Sequence, residues 1–221
     1  MPYRNRASPP TKPNTIGTKS IASPQEMIKR KGVKKISQQI SHVKAMEKVP
    51  LEESIRLIYP RLTVLVTTAN PAREVNAAPY SWIAPVSFSP PMLYLGIQRR
   101  ETLTVKNIRR GKEFVVNVVT RDWAEKAVSC GAKLPDKVER SGLEFEEGKK
   151  VSVPCVKGAK IVLECRLKDI IESGQADHFL ILGEIVHAEK EPGLEDEDIA
   201  MHISGETFVG PGKRFQVEGK K

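Results

Sequence analysis

The chain has 221 residues, 39% hydrophobic and 29% charged, the proportions of an ordinary globular protein with room for one well-filled core. Its formal net charge of +9 comes entirely from positions 1–50, which hold eleven of the 36 Lys/Arg and two of the 27 Asp/Glu; the balanced remainder gives no reason to expect nucleic acid as its ligand. No apolar run approaches the ~18 residues of a membrane-crossing helix, and the start lacks the apolar centre of a secretory signal, so a cytoplasmic protein without a membrane partner is expected.

Residues 1–24 are rich in Pro, Ser, Thr and basic side chains and show no apolar periodicity, the composition of an arm without a core. Ile36, Ile40, Val43 and Met46 then recur at helical spacing among lysines, predicting one amphipathic helix that packs on the following domain or across a dimer. Residues 1–50 are therefore read as a basic extension and 51–221 as the folded domain. Leu51–Ile58 predicts a short helix ending before Tyr59-Pro60.

From residue 61 the pattern changes to strands. RLTVLVTTA, MLYLGI and EFVVNVVT read as buried β-runs. IVLECRLKDI alternates, with Ile161, Leu163, Cys165 and Leu167 on an inner face and Glu164, Arg166 and Lys168 on an outer one. HFLILGEIVHAEKE is long enough to bend, with a bulge expected at Gly183. Short helices are expected from Thr104 to Arg110, closed by Gly111, from a capping Asp122 to Val128, and from Pro135 to Arg140. Many strands with few, short helices predict a mainly β protein, an antiparallel barrel or sandwich.

Cys130, Cys155 and Cys165 have irregular spacing and no histidine at ligand distance along the chain, which predicts reduced thiols and no metal site. There is no G-x-G-x-x-G after a strand and no G-x-x-x-x-G-K-[ST], so any nucleotide is bound by the barrel itself.

The chemistry concentrates in NAAPYSWIAPVSFSPPMLYLGIQRRETLT, Asn76 to Thr104. Small and hydroxyl-bearing Asn76, Ala77, Ala78 and Ser81 allow a flat ligand close to the backbone, and Trp82 offers an apolar wall. Arg99 and Arg100, followed by Thr102 and Thr104 at a helix start, combine guanidinium, hydroxyl and peptide N–H donors suited to a phosphate. A ring at one end and a phosphate at the other describe a mononucleotide-like cofactor.

Asn76 with Ser81-Trp82, Pro90-Pro91 before a buried strand, the arginine turn with Thr104, EFVVNV after Lys112, C-G-x-x-x-x-D-K from Cys130 to Lys137, and Asp177-His178 with Gly183-Glu184 occur in one order. In that order the chain, from about Tyr59 to Glu191, resembles the flavin reductase-like family with the FMN-binding split-barrel fold, most closely its flavoredoxin-like branch. The resemblance implies a Greek-key split β-barrel and a homodimer with two FMN sites near the interface. It implies that Asn76–Trp82 lines the ring and ribityl chain, that Arg100, Thr102 and Thr104 hold the phosphate, and that Asn117 lies close by. Which of Arg99 and Arg100 takes the phosphate stays open, and His178 is a substrate-side candidate. The expected function is an NAD(P)H-dependent flavin reductase, with no catalytic side chain required for the hydride step. The alternatives are an FMN-retaining electron carrier with a protein redox partner, and a non-catalytic protein docking through its basic arm.

Overall fold

The computed structural model describes residues 46–217, so Ile36, Ile40 and Val43 of the expected amphipathic helix lie outside the described residues. Chain contacts divide the protein into Met1–Lys48 and Val49–Lys221, and every element below belongs to the second unit.

A 3-10 turn over Leu51–Leu57 precedes strands β1 (Arg61–Leu62), β2 (Val64–Ala69), β3 (Val75–Tyr80), β4 (Ile83–Phe88) and β5 (Pro91–Gln98). Helix α1 (Leu103–Gly111) leads into β6 (Glu113–Val118), and two short helices follow, α2 (Ala124–Ser129) and α3 (Lys137–Arg140). The remaining strands are β7 (Phe145–Glu146), β8 (Cys155–Val156), β9 (Ile161–Glu172), β10 (His178–Lys190), β11 (Met201–Ser204) and β12 (Thr207–Val209).

Seven strands form one antiparallel sheet in the order β3-β2-β6-β9-β10-β5-β4. Its two edge strands, β3 and β4, are consecutive in the chain and separated only by Ser81 and Trp82, so the sheet curls until its edges meet at that corner. Gly96 N–H donates to the Trp82 carbonyl at 2.7 Å, tying the corner to β5. Long connections put β2 beside β6 and β5 beside β10, the Greek-key split barrel that was expected. Val64, Val66, Leu95, Ile97, Phe114, Val116, Cys165 and Ile181 fill the interior, and α1 adds Val105 and Ile108. A small sheet, β1-β11-β12, lies outside this ladder.

Several local expectations need correction. Helix α1 ends not with a glycine cap but with Lys112 in the left-handed region, φ 60°. Asp122 does not cap a helix; it accepts from the Thr120 hydroxyl at 2.5 Å while residues 121–123 make a 3-10 turn. The register between β9 and β10 breaks beside Gly183, as expected, but the residue passed over is Lys168 on β9. Gly183 instead makes room for a core ring. A Cβ there would sit 2.5 Å from Phe114 Cζ, so only glycine lets that ring fill the interior.

The outer face of β9 is not uniformly solvated. Glu164 is 2% exposed, because the segment after Gly148 folds over it. Its Oε1 accepts from Lys149 N–H at 2.7 Å, and its Oε2 from Lys150 and Val151 N–H at 2.6 and 2.9 Å. Burial pushes this carboxyl up, but the three peptide donors outweigh it and hold the group below the ordinary carboxylate value.

Candidate functional site

The anion-binding features converge where β3 passes the start of α1. Thr102 caps the helix, its Oγ1 accepting from Val105 N–H at 3.2 Å. Thr104 Oγ1 accepts from Asn76 Nδ2 at 3.0 Å. Both hydroxyls thus use acceptor capacity inside the protein and keep a hydrogen to donate. The peptide N–H groups of Leu103 and Thr104 donate to no described residue, as the first turn of a helix dictates.

A buried network holds this geometry. Thr68 Oγ1 accepts from Asn76 Nδ2 at 3.3 Å and from Asn107 Nδ2 at 3.2 Å, pinning α1 to the β2–β3 hairpin. Asn76 is therefore first a strut that orients Thr104, and its alignment with the cleft follows from that.

The cleft encloses about 480 Å³. Of the sequence-predicted residues, Asn76, Ala78, Arg100, Thr102 and Thr104 line it. Arg100 forms no ion pair with a described residue, whereas neighbouring Glu101 accepts from Arg109 at 2.5 Å. Arg99 points elsewhere, donating from Nη1 to the Ser173 carbonyl at 3.3 Å, so of the two arginines Arg100 alone lines the cleft.

Two further predicted residues, Ala77 and Asn117, are buried away from the cleft. Ala77 is fully buried in the core cluster behind β3. Asn117 is also fully buried: its Nδ2 donates to the Leu65 carbonyl at 3.0 Å and its Oδ1 accepts from Val156 N–H at 2.8 Å. Its amide joins β2 to β8 and does not line the cleft.

Ser81 and Trp82 occupy the adjoining corner. Ser81 lines a hollow of about 330 Å³ with Thr63, His202 and Phe208; it meets the first cleft across Pro79, Tyr80 and Gly131. Ser81 Oγ lies 3.3 Å from His202 Nδ1, whose Nε2 lies 3.1 Å from the Gly205 carbonyl. Thr63 Oγ1 is buried there without a hydrogen-bond partner among the described residues. Trp82 stacks on His178, centroids 4.2 Å apart and planes 15° from parallel. His178 Nδ1 lies 2.7 Å from Asp177 Oδ1, and that bond holds the Asp177 carboxyl below its ordinary value. A carboxylate only accepts, so the proton sits on Nδ1 and leaves Nε2 as the basic atom.

Tyr80 and Lys137 were missed. Burial pushes the Tyr80 hydroxyl up, opposed by the hydroxyls of Thr104 and Thr102 and the charge of Arg100. Both residues stood inside the motifs quoted above, but a tyrosine among small residues and a lysine in a basic sequence carry no distinguishing pattern. His202 also lacked any visible partner in sequence, since Ser81 is remote along the chain.

Among the described residues no helix is long and apolar enough to cross a membrane, and no group of His, Cys, Asp and Glu is arranged to hold a metal.

Comparison with known proteins agrees with the architecture. Residues 56–208 match the family described as flavin reductase like domain. An uncharacterized protein of Aquifex aeolicus is 35% identical over 161 residues, 70% of this chain and 81% of that one. A Streptomyces pristinaespiralis NADH:riboflavin 5'-phosphate oxidoreductase is 29% identical over 119 residues, 54% of this chain and 65% of that one. Nitrilotriacetate monooxygenase component B from Bacillus cereus superposes with a TM-score of 0.70 at 25% identity, covering 79% of this chain and all of the other. With two thirds of its length inside that family match, this chain belongs to the flavin reductase-like family.

Proposed function

We propose that the protein is an FMN-dependent oxidoreductase that accepts hydride from NADH or NADPH. One observation carries the reading: Arg100, two threonine hydroxyls and the open end of α1 line one cleft, beside a corner lined by Ser81 and His202. A phosphate fits the first donor set, and a flat heterocycle fits the second.

When bound, FMN supplies the hydride acceptor at its N5 atom. The residues of this chain hold and orient. Arg100 and the hydroxyls of Thr102 and Thr104 grip the phosphate, each charge-assisted bond contributing about 1.5–3 kcal/mol. Ala78 and Tyr80 line the path toward Ser81, and Thr63 Oγ1, Ser81 Oγ and His202 provide polar contacts for the ring edge. Asp177 fixes the tautomer of His178, so Nε2 can take or return a proton on the donor side. In a homodimer, a second copy would cover Phe88, 99% exposed, and Val86 on edge strand β4.

The test is the absorption spectrum of the purified, dialysed full chain before and after NADH or NADPH is added without oxygen. Bound oxidised flavin that bleaches with either nucleotide is the expected result and names the donor. Flavin that stays oxidised would move the reading to an electron carrier with a protein donor. A colourless protein that takes up no added FMN would overturn it.

A further inference from the structure

We propose that Arg109 is a positioning residue that fastens the turn carrying Arg100 and Thr102 to the hairpin carrying His178; the inference rests on the flavin reading above. Within itself, the turn between β5 and α1 makes only short loops. Arg100 N–H donates to the Gln98 carbonyl at 2.7 Å, and Thr102 N–H to the Arg100 carbonyl at 2.8 Å. Its ties to the barrel lead to the connection between β9 and β10. Arg99 N–H donates to the Asp177 carbonyl at 2.7 Å, and Arg99 Nη1 to the Ser173 carbonyl at 3.3 Å. Arg109 of α1 completes the set. Its Nη1 donates to Glu101 Oε1 at 2.5 Å and its Nη2 to Glu172 Oε1, at the end of β9, at 2.6 Å. Its guanidinium carbon lies 4.9 Å from the ring centroid of Phe179, which is buried directly after His178.

Either ion pair alone is too exposed to contribute much. A planar guanidinium held on both Nη atoms, with a ring beneath it, is nonetheless confined to one orientation. That orientation sets Glu101, and Glu101 stands between Arg100 and Thr102 on the cleft wall. The other end of the bridge is Glu172, which does not line the cleft. Glu172 opens the connection that leads to Asp177 and His178, so the hold on the phosphate and the placement of that histidine share one clamp. On charge alone, removing the negative Glu172 would tighten the binding of a phosphate. A clamp gives the opposite sign, and that sign separates positioning from simple repulsion.

The experiment titrates the full-length protein with FMN and with riboflavin in about 0.15 M salt, following flavin fluorescence. The natural chain is compared with Glu172→Ala, with Arg109→Met, which keeps the stem over Phe179, and with the double variant. Riboflavin shares the ring, so the ratio of the two affinities isolates the phosphate. The FMN preference falls about threefold in Glu172→Ala and about tenfold in Arg109→Met. The double variant matches Arg109→Met within about twofold, because Glu172 acts through Arg109. An FMN preference in Glu172→Ala that is unchanged or higher, or a further fall in the double variant, would overturn the proposal while leaving FMN binding intact. A natural protein that binds neither flavin would overturn the flavin reading together with it.

Discussion

Replacing Glu164 by Gln tests whether one buried carboxylate holds the segment that folds over β9. The carboxylate accepts three peptide N–H groups, two on Oε2 and one on Oε1. Glutamine can offer its carbonyl to the pair from Lys150 and Val151, but its NH2 then faces the Lys149 N–H, donor against donor. One charge-assisted bond disappears, worth about 1.5–3 kcal/mol, and a donor loses its acceptor; a total near ~3 kcal/mol is expected. For a domain of this size that lowers Tm by about 6–12 °C. The assay is thermal unfolding followed by circular dichroism between pH 3 and 8. The folded pKa of Glu164 is depressed, so its stabilisation is present above the unfolded carboxylate value, near ~4.3, and is lost as pH falls through the folded value. The gap between natural and variant Tm should accordingly close in acid. A drop below about 2 °C at pH 7.5, or a gap independent of pH, would refute the reasoning.

Asn117→Ala breaks the tie between β2 and β8 and should cost about 2–3 kcal/mol in urea unfolding while leaving the FMN dissociation constant within about twofold; a selective loss of FMN would return Asn117 to the site. Gly183→Ala forces a methyl group against Phe114, and about 1–3 kcal/mol of destabilisation is expected from the same measurement. Burial pushes the Cys165 thiol up to about 12, Cys155 up to about 11, and Cys130 up as well. At pH 8 the native protein should react slowly with a thiol-specific disulfide reagent and yield three equivalents after unfolding; fast labelling of one thiol in the native state would contradict this burial.

The strands that sequence reading found are those with one chemistry along their length. β2, β5 and β6 are β-branched or apolar runs because both of their faces are covered, and β10 is long enough to declare itself. Strand β4 escaped notice because Pro85 and Ser87 interrupt it; an edge strand tolerates both, since one side donates to no neighbour. The two- to four-residue strands β7, β8, β11 and β12 are too short for any period to show. The burial of Glu164 and Asn117 stayed hidden for a related reason. Alternation says which residues share a face but not whether a distant segment covers that face. In the site, Arg100, Thr102 and Thr104 were legible because they are close in sequence and their chemistry is additive. Tyr80, Lys137 and His202 acquire meaning only through partners that folding brings to them.

The corner at Ser81–Trp82 has a consequence for how such a barrel can hold a ligand at all. A sheet closed all the way round would commit every peptide group on its strands to a neighbouring strand. Here β3 pairs only with β2 and β4 only with β5, so the chain passes from one margin of the sheet to the other without zipping the two together. The leftover backbone donors and acceptors gather along that seam, and the hydroxyls and cations of the cleft stand beside it. A molecule in the cleft or the adjoining hollow would meet the β3 margin alone, since no residue of β4 lines either. Filling the site therefore leaves the β4 margin open.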